Sequence, residues 1–151
     1  MAHTVNSIVI DAPYDKVFEI SNDISRWKDL FDEYTGSEVL EKEANKIIFQ
    51  LTHQNGNSWK SYRLLFKENK FAYAEKLDPK FPFEYMKIIW LYRQCPQGAR
   101  PEQGRRVEMT WIQDFTMDKN AKVDDQKAEE LINQHSQKNL KNFKEQIEKD
   151  K

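Results

Sequence analysis

A chain of 151 residues with 38% hydrophobic content suits one domain, residues 1–151, built on one sizeable core. Lys and Arg total 24 against 25 Asp and Glu, so the net charge of −1 offers no basic field for nucleic acid and no basic run for a membrane surface. A single Cys95 excludes an intrachain disulfide framework, no apolar stretch has membrane-spanning length, and Met1-Ala2-His3-Thr4 lacks the form of a signal peptide. The expectation is a soluble, cytoplasmic protein.

Residues 6–11 (Asn-Ser-Ile-Val-Ile-Asp) read as a short strand of β-branched residues. Pro13 suits the first turn of a helix, and Val17, Phe18, Ile20 and Ile24 give it an apolar stripe. Asn22-Asp23 interrupts that stripe, and a second short helix runs through Trp27, Leu30 and Phe31. Tyr34, Thr35 and Gly36 are expected to close the helical pair.

Strand patterns follow at residues 37–43, 46–53, 58–67, 71–77, 83–94 and 106–117. In the second of these, Ile47, Phe49 and Leu51 share a face. Gln54-Asn55-Gly56-Asn57 is a turn between two strands. Ala72, Ala74 and Lys76 lie on one side of their strand, and Met86, Ile88 and Trp90 on one side of theirs. The clearest alternation puts Val107, Met109, Trp111, Gln113 and Phe115 together. Residues 96–104 are a loop rich in Pro, Gly and Gln. A long helix begins near Asp124 or Asp125, where acidic residues suit the helix dipole. Its apolar stripe is Ala128, Leu131, Ile132, Leu140, Phe143 and Ile147, interrupted by Asn133, His135, Ser136 and Asn139; a charged tail from Glu148 is expected to fray.

Consecutive hairpins make an antiparallel sheet, and the amphipathic helix must bury its stripe against it. Small residues (Ala72, Ala74) facing polar ones (Asn133, Ser136, Asn139) leave a cavity between the two layers. Within residues 59–63, Trp59, Ser61 and Arg63 share a strand face. An arginine there is costly in a dry core, because it does not escape by deprotonation. Either the face is solvated, or Arg63 pairs with an acid such as Glu84 or Asp114, or it lines a wet pocket and holds a ligand oxygen. Gln113, among apolar neighbours, needs a partner from ligand or backbone. His135 reads as a helix-surface histidine. No metal-ligand cluster, phosphate loop or nucleophile elbow is present, so no metal and no cofactor is implied.

Asn22-Asp23-Ile24 with Trp27, residues 30–34 (Leu-Phe-Asp-Glu-Tyr), residues 59–63 (Trp-Lys-Ser-Tyr-Arg), residues 82–86 (Pro-Phe-Glu-Tyr-Met) with Trp90 and Tyr92, residues 111–115 (Trp-Ile-Gln-Asp-Phe), Val123-Asp124-Asp125 and residues 133–139 occur in an order that spans almost the whole chain. In this the chain resembles the single-domain aromatase/cyclases of bacterial aromatic polyketide synthesis, the tetracenomycin type, within the helix-grip superfamily of START-like (SRPBCC) and pollen-allergen-like domains. The resemblance implies an α+β helix-grip fold: a curved seven-stranded antiparallel sheet wrapped around a long C-terminal helix, two short helices after the first strand, and an interior cavity. It also implies a reaction. A linear poly-β-ketone on an acyl carrier protein enters the cavity, is folded, closes by intramolecular aldol addition and dehydrates to an aromatic ring; the other type II polyketide synthase components would be partners.

By motif, Arg63 and Tyr34 take the catalytic roles. Ser61, Trp27, Trp59, Lys76, Trp90, Trp111, Gln113 and Asn133 take substrate-binding roles. Two positions depart from the pattern. Lys76 stands where the family often has arginine, keeping the charge without the bidentate fork, and Asn57 stands where close members tend to have a second tryptophan. The same scaffold also hosts non-catalytic carriers of a lipid, quinone or other apolar ligand, and modules that dock a macromolecule. Two cations inside the cavity distinguish the enzyme reading from the carrier.

Overall fold

The structure is a computed structural model and describes residues 1–95 and 106–150. The loop expected at 96–104 lies outside the described residues. Seven strands form one antiparallel sheet: β1 (Ala2–Asp11), β2 (Tyr34–Glu43), β3 (Lys46–His53), β4 (Ser58–Phe66), β5 (Phe71–Lys76), β6 (Phe83–Gln94) and β7 (Arg106–Met117). Their spatial order is β1-β7-β6-β5-β4-β3-β2. Helix α1 (Tyr14–Ser21), a 3-10 turn (Ile24–Arg26) and α2 (Trp27–Leu30) follow β1, and α3 (Asp125–Lys149) closes the fold. This is the helix-grip arrangement, a curved sheet holding one long helix.

Alternation decides which face is covered. Ile47, Phe49 and Leu51 of β3, Ala72, Ala74 and Lys76 of β5, and Val107, Met109, Trp111 and Phe115 of β7 are buried on the concave side. On α3, Ala128, Ser136, Asn139, Leu140, Phe143 and Ile147 are buried. The Asp124 side chain caps α3 by accepting from the Lys127 backbone N–H at 2.8 Å. Asp125 ties the helix start to the sheet, accepting from the Met117 backbone N–H at 2.7 Å and pairing with the N-terminal amine at 2.8 Å.

Four differences from the sequence expectation stand out, three of them with local causes. β1 begins at Ala2 rather than residue 6, because its polar inward residues are paired: Thr4 donates to Gln113 at 2.8 Å and Asn6 to Asn133 at 2.9 Å. β2 begins at Tyr34 rather than residue 37. Gly36 serves close approach there, since a Cβ at that position would meet the Thr52 Cβ at 3.3 Å. Leu131 is only half-buried, the inward positions of α3 being taken by Ser136 and Asn139. The helix also continues to Lys149, past the start of the charged tail.

Candidate functional site

The hairpin register puts Arg63 between Ile47 of β3 and Ala74 of β5, and Ser61 between Phe49 and Lys76. A small residue at 74 leaves the long Arg63 side chain room to run across the concave face. Beneath α3 the sheet encloses a cavity of about 720 Å³, within the range of small-molecule sites. Its wall includes Arg63, Ser61, Lys76, Tyr34, Gln113 and all four tryptophans.

Arg63 is 1% exposed. Among the described residues it forms no salt bridge: Asp114 pairs with His3, and Glu84 is exposed. Its Nε donates to Asn22 Oδ1 at 2.8 Å, and its guanidinium carbon lies over the rings of Trp90 at 4.0 Å and Trp27 at 5.2 Å. The Tyr92 hydroxyl lies near the guanidinium, but its hydrogen bonds are with Ser21 Oγ at 2.7 Å and Asn22 Nδ2 at 3.0 Å. Among the described residues Arg63 Nη2 is buried without a hydrogen-bond partner. Burial lowers the Arg63 pKa to about 10, with Tyr92 opposing, which leaves a cation at neutral pH.

Lys76 is the second cation. It is 6% exposed, donates to the Phe81 carbonyl at 3.0 Å, and lies over Trp59 at 4.8 Å and Phe83 at 5.2 Å. Burial lowers its pKa to about 8. Tyr34 packs its ring against Phe31 and Trp59. Burial, helped by the neighbouring Glu33 carboxylate, raises its hydroxyl pKa well above the usual range, so this group holds its proton at neutral pH.

Three of the four tryptophans form a continuous stack, and Trp59 packs apart from them against Tyr34 and His53. Trp90 and Trp111 lie 4.4 Å apart at 12°, and Trp27 stacks on Trp90 at 5.6 Å. Trp27 Nε1 donates to the Ser21 carbonyl at 3.0 Å, whereas Trp111 Nε1 is buried without a partner among the described residues. Gln113 Oε1 accepts from Thr4 and from Ser136 at 3.2 Å, so its carbonyl side is occupied.

Of the residues singled out from the sequence, the fold brings Arg63, Tyr34, Ser61, Lys76, Gln113 and the four tryptophans to one cavity. Asn133 stands apart. Its side-chain oxygen accepts from Asn6 of β1, and it is not part of the cavity wall. His135 is exposed, as its position suggests, yet contributes to the wall. Sequence reasoning gave no role to Asn22, Tyr92, Glu33 or Asn139. Asn139 bridges Glu33, at 3.0 and 3.1 Å to its two oxygens, and the Asp32 backbone N–H at 3.2 Å, joining α3 to the segment before β2. The signal available for Asn22 was its polar interruption of an apolar stripe. Among the described residues no group of three His, Cys, Asp or Glu is placed to hold a metal ion, and no helix is long and apolar enough to cross a membrane.

The family model described as "Polyketide cyclase / dehydrase and lipid transport" matches residues 10–144. A Streptomyces cyaneus protein named "Putative polyketide cyclase" is 40% identical over 97% of this chain and 93% of its own length. A protein of the same name from Streptomyces halstedii is 37% identical over 73% of this chain and 97% of its own. Among solved structures, the Zhui aromatase/cyclase from Streptomyces sp. R1128 superposes with a TM-score of 0.84 at 18% identity, covering 97% of this chain and 93% of that one. A START superfamily protein from Mycobacterium smegmatis gives 0.75 at 11% identity, covering 99% of both chains. At these identities the structural likeness bears on the fold alone.

Proposed function

The chain belongs to the polyketide cyclase/dehydrase and lipid transport family, and from that premise we propose that it closes rings in a poly-β-ketone presented by an acyl carrier protein. The observation that supports this reading is a buried cation in the cavity wall, Arg63, with no carboxylate partner among the described residues; its Nη2 and Trp111 Nε1 are enclosed donors that also lack hydrogen-bond partners among the described residues. A buried donor left unmatched costs stability, on the order of 1–3 kcal/mol and more for a charged group. A ligand oxygen would satisfy either one once a shift of the side chain opens it to the cavity.

Aldol closure deprotonates a methylene, builds charge on the enolate oxygen and requires a polarised ketone as electrophile. A methylene between two carbonyls is already acidic, so water entering the cavity suffices as the base and carries the proton to solvent. The Arg63 cation receives the enolate oxygen in a site largely removed from water, where such a contact is worth far more than in bulk solvent. The enolate carbon attacks a second ketone carbon, the new bond forms, and that ketone oxygen becomes an alkoxide. Tyr34, holding its proton, supplies it to the alkoxide and regains one from solvent through water in the cavity. Loss of this hydroxyl as water, with a proton from the adjacent carbon, gives the double bond that leads to aromaticity. The tryptophan stack confines the flexible chain to a ring-closing conformer.

The apolar part of the wall, with Phe31, Phe49 and Leu51, favours a second reading as a carrier of an apolar ligand. Two cavity cations, neither in a salt bridge among the described residues, argue for the cyclase. The test is reconstitution with ketosynthase components and a loaded carrier protein. Wild type is expected to direct the chain to one aromatic product, and Arg63→Ala to release spontaneously cyclised shunt products. An unchanged product profile from a folded Arg63→Ala variant removes Arg63 from the mechanism.

A further inference from the structure

A buried arginine on a strand is ordinarily neutralised by a carboxylate. Here the partner is an amide. Asn22 is 6% exposed and sits just beyond the C-terminus of α1. Its orientation follows from its neighbours: Arg63 Nε only donates, and the Phe18 carbonyl only accepts. Oδ1 therefore faces Arg63 at 2.8 Å, and Nδ2 donates to Phe18 O at 2.9 Å and to the Tyr92 hydroxyl at 3.0 Å. Tyr92 is tied in turn to Ser21, whose backbone carbonyl holds Trp27 Nε1. Among the described residues the guanidinium is thus held through Nε by a neutral network, between two indole faces, with no carboxylate partner and with Nη2 enclosed without a hydrogen bond.

We propose that Asn22 is a positioning residue whose neutrality keeps the Arg63 charge uncompensated, so that the cavity selects the enolate anion of a 1,3-dicarbonyl over the corresponding neutral ketone. This rests on the reading of Arg63 as the receiver of a ligand oxygen and adds the charge state of the ligand. An aspartate at 22 would have nearly the same shape, yet it would form an ion pair with Arg63 and cancel the field on which an anion depends.

The test uses two cyclic probes of similar size: 1,3-cyclohexanedione, which is ionised to its enolate at neutral pH, and cyclohexanone, which is neutral. Binding is followed by quenching of tryptophan fluorescence, because Trp27 and Trp90 flank the guanidinium. Wild type is expected to bind the enolate more tightly than the ketone. Asn22→Asp is expected to weaken the enolate about tenfold or more while leaving cyclohexanone affinity nearly unchanged. Loss of packing alone would weaken both probes together, so the ratio separates positioning from a merely structural role. If Asn22→Asp does not fold, Asn22→Ala serves, since it deprives Arg63 Nε of its acceptor and is expected to lower enolate affinity selectively. Equal changes for both probes, or a wild-type preference that persists in Asn22→Asp, overturns the Asn22 inference alone. Absence of any preference in wild type overturns it together with the Arg63 reading on which it rests.

Discussion

The guanidinium of Arg63 lies 4.0 Å from the ring centroid of Trp90, over an indole that itself stacks on Trp111 at 4.4 Å. The ring face supplies negative electrostatic potential without supplying a counter-charge. Trp90 therefore helps Arg63 tolerate burial and leaves its net charge available. Trp90→Phe is expected to fold with a stability loss of about 1 kcal/mol from the weaker ring face. Trp90→Ala, which also opens a cavity beside Trp27, Trp111 and Phe143, is expected to cost roughly 3–5 kcal/mol. Urea unfolding of both variants checks the order; equal losses would mean that the ring face does nothing beyond filling space.

Tyr34→Phe keeps the ring contacts with Phe31 and Trp59 and removes only the hydroxyl. Stability is expected to stay within about 1 kcal/mol of wild type, while formation of the directed aromatic product slows on the order of 10²-fold. Because burial raises this hydroxyl above the ordinary tyrosine range, the wild-type rate is expected to show no tyrosine ionisation between pH 6 and about pH 9. A product assay across that range, run on both proteins, measures both effects.

Lys76 makes a prediction of opposite kind. In the unfolded chain it holds its proton up to the ordinary lysine value of 10.5, whereas in the folded protein burial lets it go near about 8. Between those values the unfolded state binds more protons, so this residue's contribution to stability rises with pH. Lys76→Met removes the titration. Its stability relative to wild type is expected to be greatest near pH 7 and to shrink as pH climbs from about 8 towards 10. Chemical denaturation at several pH values tests this, and a constant difference would show that Lys76 is better solvated than its surroundings imply.

The start of α3 tests whether stability and site chemistry separate. Asp124→Ala removes the cap to the Lys127 backbone N–H and is expected to cost about 1 kcal/mol. Asp124 is not part of the cavity wall, so the product profile is expected to stay that of wild type. Thermal unfolding and the reconstituted assay together check the separation.

Much of the sheet was legible because its concave positions alternate strictly. Ile47, Phe49 and Leu51 announce their face, and so do Met109 and Trp111, which is why β3, β6 and β7 occupy the residues expected of them. The polar start of β1 was not legible. Thr4 looks like a loop residue until Gln113, more than a hundred positions away, provides its partner. The same holds within the site. Arg63 stood out as a charge among inward-facing residues, but the sequence left its partner open between Glu84, Asp114 and a ligand. Asn22 read as a helix break, and only the packing of α1 against β4 and β6 makes it the acceptor for Arg63 Nε. Asn133 illustrates the converse: a polar position on the inner helix face that the register turns towards β1 rather than into the cavity.

The most direct measurement of the central claim is a crystal structure of the protein with a bound 1,3-dicarbonyl ligand. Within the cavity, a ligand oxygen is expected at hydrogen-bond distance, about 2.7–3.0 Å, from a terminal nitrogen of the Arg63 guanidinium, with Asn22 still holding Nε. A ligand seated elsewhere, or an Arg63 swung out of the cavity to pair with a surface carboxylate, would contradict the account.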